Sequence, residues 1–337
     1  MEHNGPSLIT ARVIAQHRGK YRVRYEDKEF WATVTGKSIF TAESMLDYPV
    51  VGDLVNIVDV GSDNAVIKEI LPRKSVLERK AAGKDRAQPI AANVDTVFIV
   101  QAIDRDFNLN RFERYVTIIR AGNILPILVL NKTDLISPEE LEEKIALVES
   151  RFLDTPLLTT SIITKNGIDS LIQAIKKGQI YCFLGSSGVG KSSLINKLLG
   201  QELLKTEEIS AQTKKGKHAT THRELYELKS GAMVIDNPGM REVGLADVDV
   251  GVKGVFAEIE FLGKDCKFDD CSHQSEPGCA VLAAVKAGNL SESKYENYLK
   301  LKKESEYYAM TKLEKKIKDR DFGRMVKTYK KQKNKLK

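Results

Sequence analysis

No apolar run in the 337 residues approaches the roughly 18 consecutive residues that a membrane-spanning helix needs, so no membrane partner is expected. The opening MEHNGPSLIT lacks the basic-then-apolar pattern of a secretory leader, and the chain is expected in the cytoplasm. Cysteine is scarce, four residues in all, and in a reducing compartment these are expected as thiols rather than disulfides. No internal repeat is visible, which leaves separate domains rather than an array. What is present describes a soluble globular protein, with 42% hydrophobic and 29% charged residues and a length suited to three domains. The net charge of +7 is unevenly spread: from Thr311 to Lys337 twelve Lys or Arg face only Glu314, Asp319 and Asp321. That tail carries more positive charge than the chain as a whole, either to aid solubility or to meet a polyanion such as nucleic acid.

Four segments follow in order. Residues 1–71 read as short strands, with Tyr21, Val23 and Tyr25 alternating with Arg22 and Arg24, and FWATV and GDLVNIVDV after Gly-containing breaks. That spacing suits a five-stranded barrel of the oligonucleotide-binding (OB) kind, with Arg18, Lys20, Arg22 and Arg24 as a candidate RNA face; outward arginines are also ordinary on any strand. Residues 72–90 are polar, basic and flanked by prolines, and are expected to be a linker. Residues 91–245 alternate continuous apolar runs (VDTVFIVQAI, ILPILVL, QIYCFL, AMVID) with helical stretches, the pattern of a doubly wound, mostly parallel α/β sheet. One helix start is explicit: Ser137 caps, Pro138 takes the first turn and Glu140 completes a capping box. Residues 246–337 hold a cysteine cluster, a helix expected from Ser291 to Met310 and the basic tail.

GSSGVGKS, Gly185 to Ser192, fits G-x-x-x-x-G-K-S between an expected strand and an expected helix. In such a loop the backbone N–H groups of Gly185, Ser186, Ser187, Gly188, Val189, Gly190 and Ser193 curl around phosphates, helped by the helix N-terminus. Lys191 is expected at the β- and γ-phosphates, and Ser192 on Mg²⁺. VIDNPGM then offers Asp236 to the Mg²⁺ shell through water and the N–H of Gly239 to the γ-phosphate. Between the two lies KKGKHATTHREL, polar and unpatterned as a switch segment should be, with Thr220, in preference to Thr221, completing the Mg²⁺ shell.

LVLNKTD, Leu128 to Asp134, identifies the base. A carboxylate at Asp134 accepts from the N1–H and exocyclic amine of guanine, whereas adenine turns a lone pair toward it. Asn131 is expected to brace the loop and help read the base edge, the Lys132 stem to lie along the base plane, and Ser161 to mark the loop facing guanine O6. The base reader here precedes the phosphate loop. A doubly wound sheet gathers these loops at the carboxyl ends of its strands, so chain order can be permuted without loss of the site.

CKFDDCSHQSEPGC brings Cys266, Cys271, His273 and Cys279 within fourteen residues, and three thiolates with one imidazole make a closed tetrahedral zinc shell of the structural kind. A disulfide and unrelated surface thiols are the competing readings. Cys182, inside an apolar run, is expected in the core.

N-K-x-D before G-x-x-x-x-G-K-S before D-x-P-G, flanked by a barrel and C-x4-C-x-H-x5-C, resembles the RsgA (YjeQ/YloQ) family of circularly permuted GTPases over nearly the whole chain. The resemblance implies a permuted P-loop GTPase core, an N-terminal OB barrel and a C-terminal zinc-binding, mainly helical domain. It also implies GTP hydrolysis to GDP stimulated by the small ribosomal subunit, rRNA binding and release of the factor late in subunit maturation. The protein is expected to act as a monomer. His218 resembles the family histidine proposed to orient the attacking water, a task that Met240, next to D-x-P-G, cannot perform. Three departures stand out: Asn237 where the family carries Thr, HATT in place of H-T-T-T, and Ser161–Ile162 in place of Ser-Ala. The competing functions are a GTP-dependent RNA-binding adaptor with little hydrolysis and a GTPase with a non-ribosomal partner.

Overall fold

The computed structural model describes residues 8–17, 19–36, 42–80, 87–104, 106–200, 223–236, 254–310, 314 and 320. Two compact units divide the chain, Met1–Gly244 and Leu245–Lys337.

The first unit opens with a closed barrel. Its strands are β1 (Ile9–His17), β2 (Lys20–Tyr25), β3 (Lys28–Val34), β4 (Leu54–Gly61) and β5 (Asn64–Ile70). They pair in the order β1-β2-β3-β5-β4 and close through β4 on β1. Alternation supplies the interior: Val13, Val23, Phe30, Ala32, Val55, Ile57 and Ile67 are buried in one cluster, and in β2 and β3 their chain neighbours are half-buried or exposed. The register of β1 shifts between Val13 and Ala15. That bulge lets its first half pair with β4 while Ala15 and Gln16 pair with another strand, β12 (Arg223–Glu227).

The segment expected as a linker contains an antiparallel hairpin, β6 (Val76–Lys80) with β7 (Ala87–Ala92). It is tied to the barrel where the Ala92 N–H donates to Val51 O at 3.0 Å. The remaining strands are β8 (Thr96–Ala102), β9 (Leu125–Asn131), β10 (Leu157–Thr160), β11 (Ile180–Leu184) and β13 (Met233–Asp236). Helices α1 (Leu109–Ala121), α2 (Pro138–Arg151), α3 (Ile168–Gln173) and α4 (Lys191–Leu199) alternate with them. Sheet order is β10-β9-β8-β11-β13-β12, parallel except for β12. Every residue of β8 and of β11 is buried, which is why, apart from Thr96 and Gln101, the sequence there is apolar. The capping box of α2 forms as expected: Glu140 N–H donates to Ser137 Oγ and Ser137 N–H to Glu140 Oε2, each at 3.3 Å.

Because β12 pairs with both β13 and β1, barrel and α/β core share one eleven-stranded sheet. The last residues of KKGKHATTHREL therefore belong to a strand, since Arg223, Glu224 and Leu225 lie in β12. The pairing also gives Arg22 and Arg24 a place. Arg22 makes ion pairs with Glu29 and, at 3.7 Å, Glu224; Arg24 pairs with Glu29 at 2.7 Å and Glu227 at 3.4 Å. Two of the four residues considered for an RNA face are thus charge-paired along the join, and Arg18 lies outside the described residues.

The second unit carries α5 (Ala257–Gly263), α6 (Ala280–Lys286) and α7 (Glu292–Ala309), the last as expected from Ser291 onward. Phe256, Ile259, Val281, Leu290, Tyr298 and Leu301 are among its buried apolar residues, and the Tyr298 ring lies 6.4 Å from that of His273.

Candidate nucleotide and metal sites

Strand order in the α/β core reverses between β8 and β11, with β9 and β10 running to one side and β13 and β12 to the other. Ligand crevices of doubly wound sheets open at the carboxyl ends of strands beside such a reversal. All the described loops singled out above leave from those ends. Gly185 to Gly190 follow β11, Asn131 to Asp134 close β9, Ser161 follows β10, and Asp236 is the last residue of β13.

The phosphate loop is shaped by what a side chain would hit. At Gly185 (φ +149°) a Cβ would lie 2.1 Å from Val100 O, and at Gly190 (φ +98°) 2.3 Å from Asn131 Nδ2. Lys191 folds back so that its Nζ donates to Gly185 O at 2.9 Å and Ser186 O at 2.5 Å. Gly190 gives α4 no side-chain cap, which leaves the first-turn N–H groups to an anion, and Ser192 and Ser193 are half-buried in that turn. Ser187 and Gly188 are exposed at the tip of the loop, and Val189 is buried beneath it.

The base-reading and phosphate loops are tied together by one amide. Asn131 is buried; its Nδ2 donates to Val189 O at 2.8 Å and its Oδ1 accepts from Thr160 Oγ1 at 2.9 Å. Both ends of the amide are engaged, so Asn131 braces three loops at once. Lys132 holds a left-handed backbone (φ +63°), which turns the chain so that Asp134 emerges exposed. The Asp134 carboxylate accepts a hydrogen bond from the buried Ser161 hydroxyl, which itself accepts from Thr164 N–H at 3.1 Å. Ser161 thus orients the Asp134 carboxylate through its side chain, while its own N–H donates to Asn166 O at 3.0 Å. His218, Thr220, Thr221, Asn237, Gly239, Met240 and the side chain of Asp236 lie outside the described residues.

In the second unit the donor atoms of Cys266, Cys271, His273 and Cys279 all lie within 4.8 Å of one another. Cys266 Sγ is 3.5 Å from His273 Nδ1 and 3.9 Å from Cys279 Sγ, and Cys279 Sγ is 3.6 Å from His273 Nδ1. Cys266, Cys271 and Cys279 are all free thiols, and the 3.9 Å sulfur separation is too long for a disulfide. It matches the ~3.8 Å edge of a tetrahedron built on metal–sulfur bonds of about 2.3 Å. Burial, followed by nearby Lys302, lowers the His273 pKa and favours the neutral imidazole that a metal ligand requires. Burial acts to raise the Cys266 thiol, but N–H groups of Ala280 and Val281 and the neighbouring thiols hold it below its ordinary value. Burial pushes Cys271 up to about 11. The surrounding loop is organised by Glu276, whose carboxylate accepts from Ser272 N–H at 2.9 Å and from Gln274 and Ser275 N–H at 3.0 Å. Tyr295 of α7 donates to His273 O at 2.7 Å, fixing a residue that itself sits at φ +63°.

The sequence model of the RsgA GTPase family matches residues 70–246. A small ribosomal subunit biogenesis GTPase RsgA 2 of Lactiplantibacillus plantarum is 43% identical over 302 residues, spanning 90% of this chain and 85% of that protein. The chain belongs to the RsgA GTPase family. RsgA 2 of Vibrio parahaemolyticus is 40% identical over 95% of this chain and 86% of its own length. Among solved structures, YjeQ from Thermotoga maritima superimposes with a TM-score of 0.64 at 26% identity, covering 89% of this chain and 99% of that one. YloQ, described as a circularly permuted GTPase, gives 0.63 at 24% identity over 92% and 99%, a likeness of fold.

RsgA membership makes this chain a GTP-hydrolysing enzyme, and it directs attention to site-adjacent residues that sequence reading missed. Arg111, on the first turn of α1, donates to Ser186 Oγ of the phosphate loop at 2.8 Å. Thr160 and Thr164 are the others, and none falls in a motif. The second unit of this RsgA chain yields a test of the cluster. Cys279 is buried and its Sγ also accepts Leu282 N–H at 3.4 Å, capping α6. Cys279→Ala is therefore expected to cost about 1 kcal/mol more than Cys271→Ala, the typical worth of a cap. Thermal unfolding with and without a chelator measures this, and equal losses would remove the capping role.

Proposed function

We propose that this protein hydrolyses GTP to GDP and phosphate on the small ribosomal subunit during its late maturation, binds rRNA there, and leaves after hydrolysis. The observation that carries the reading is Asn131, whose buried amide joins the base-reading loop to the carbonyl of Val189 in the phosphate loop. A site that couples base identity to phosphate geometry suits a nucleotide switch.

Asp134, oriented by Ser161, accepts from guanine N1–H and its amine, and Lys132 covers the base plane. Backbone N–H groups from Gly185 to Ser193 surround the α- and β-phosphates. Lys191, released from Gly185 O and Ser186 O, turns to the β/γ bridge, where its charge offsets the negative charge that spreads over the phosphoryl group in the transition state. Mg²⁺, when bound, neutralises phosphate charge; the oxygen donors of Ser192 and Thr220 suit it, with Asp236 behind them through water. Gly239 donates its N–H to the γ-phosphate, and His218 orients the attacking water. The Cys₃His cluster takes one structural zinc, since four soft donors leave no open position. In this scheme residues 1–71 form the RNA-binding barrel, 72–90 join it to the GTPase core of 91–245, and 246–337 form the zinc domain with its basic tail. The protein acts in the cytoplasm as a monomer.

Phosphate release from GTP, with ATP as control, tests this with and without purified small subunits. Strong stimulation for GTP alone is expected; turnover indifferent to subunits would favour a different partner. His218→Ala is expected to lower the stimulated rate about 10²-fold at unchanged GTP affinity, the range for a group positioning a proton transfer. An unaltered stimulated rate would remove His218 from the mechanism.

A further inference from the structure

The phosphate loop holds a second cation that no motif announces. Arg111 and Lys191 converge on the same residue: Arg111 Nη1 donates to Ser186 Oγ at 2.8 Å and Lys191 Nζ to Ser186 O at 2.5 Å. Two groups bonded to one serine lie within about 10 Å of each other, by ordinary bond lengths. Lys191, once released from those carbonyls, serves the β/γ end of a nucleotide in loops of this type, and Arg111 is bonded to the same loop beside it. Its position is set by the structure rather than by chance. Gln101, fully buried, accepts from Asn108 N–H at 2.8 Å and donates to Asn108 O at 3.0 Å; Asn108 in turn caps α1 one turn before Arg111. Asp106, in the same β8–α1 loop, pairs with the guanidinium.

Two features of this group are unusual for a structural tie. Every side-chain hydrogen bond of Arg111 among the described residues uses Nη1, which leaves Nη2 and Nε of the fork without an acceptor there. Asp106 Oδ2 is buried and, among the described residues, receives no hydrogen bond. A pair optimised for stability satisfies both ends of a carboxylate and both edges of a guanidinium.

We propose that Arg111 is a specificity-determining residue that favours the nucleoside triphosphate over the diphosphate at the phosphate loop, its charge moderated by Asp106. The inference rests on the GTP-binding reading above and deepens it. A triphosphate ends in one further ionised phosphoryl group, and that group lies on the side of the loop where Lys191 and Arg111 meet. One unit of charge about 8–10 Å away in a half-buried setting changes an equilibrium by about tenfold. Asp106 opposes this effect, so the pair sets a moderate preference that lets the diphosphate form remain occupied after hydrolysis.

The experiment compares dissociation constants of GDP and a nonhydrolysable GTP analogue, with Mg²⁺, for the full-length protein and for R111Q, R111K and D106N. R111Q is expected to lower the triphosphate-over-diphosphate preference about tenfold while GDP affinity stays within about twofold. R111K, which keeps the charge, should retain most of the preference. D106N, which removes the opposing charge, should raise it. This opposite sign separates electrostatic selection from a scaffold role, because loss of a mere tie would move R111Q and D106N in the same direction. Equal weakening of GDP and the analogue by R111Q, or a fall in preference in D106N, overturns the proposal. Failure of the unaltered protein to bind either guanine nucleotide would instead sink the GTP-binding reading on which it stands.

Discussion

Asp134→Asn is expected to weaken GTP binding about 10³-fold and to open the site to xanthosine triphosphate. The carboxylate makes two charge-assisted hydrogen bonds to guanine in the proposed site, each worth about 2 kcal/mol, and about 4 kcal/mol converts to three powers of ten. An asparagine amide has one acceptor and one donor edge. It can still receive the N1–H but turns its NH₂ toward the exocyclic amine of guanine, a donor facing a donor. Xanthine carries a carbonyl at that position and restores the match. Ser161 sharpens the effect, because its hydroxyl already donates to Asp134 and fixes which oxygen faces outward. Competition of each triphosphate against a fluorescent guanine nucleotide measures the switch. Undiminished GTP affinity in the variant would mean that Asp134 does not touch the base.

Gly190→Ala is expected to match that loss from the other side of the site, by displacing Asn131 rather than Asp134. The backbone there sits at φ +98°, which costs an alanine about 1–2 kcal/mol, and the new Cβ would lie 2.3 Å from Asn131 Nδ2. The amide cannot swing aside, since its oxygen is held by Thr160 and its nitrogen by Val189 O. Displacing it leaves buried polar groups unpaired at about 1–3 kcal/mol, so the combined cost of about 4 kcal/mol falls on the loop. Nucleotide affinity should drop about 10³-fold for GTP and GDP alike, read by titration of the purified variant. Gly188→Ala is the control, because a Cβ there meets nothing within 4 Å, leaving only its φ of +79° to oppose the change. Near-equal losses at the two glycines would show that the contact with Asn131 contributes nothing.

Much of this architecture could be read from the chain because burial on both faces leaves an unmistakable local record. Val97–Val100 and Ile180–Leu184 are unbroken apolar runs because each side chain is buried. The cluster of Cys266, Cys271, His273 and Cys279 was equally legible, since its ligands lie close in sequence as well as in space. What escaped notice depends on partners far along the chain. The hairpin Val76–Lys80 with Ala87–Ala92 hides in a polar segment where Leu77, Ile90 and Ala91 are among the few buried apolar residues. Arg22 and Arg24 look like an outward basic stripe until Glu224 and Glu227 are brought beside them. Arg111 sits 75 residues from Ser186, and nothing local distinguishes it from a solvent-facing helix residue.

The shared sheet also bears on how this molecule is made. A strand at the rim of a sheet exposes a row of unpaired N–H and C=O groups that can template association with another chain. The barrel can close its own ladder as soon as residues up to Ile70 are available, yet Ala15 and Gln16 wait for Glu224 and Arg223. During synthesis the last half of β1 thus meets its second neighbour only after most of the GTPase core has emerged. Once joined, β12 is covered on both sides, and β10 is left as the outer strand at the opposite end of the sheet. The barrel therefore serves the core as a hem, covering an edge that a truncated core lacking residues 1–71 would present to every other copy in solution.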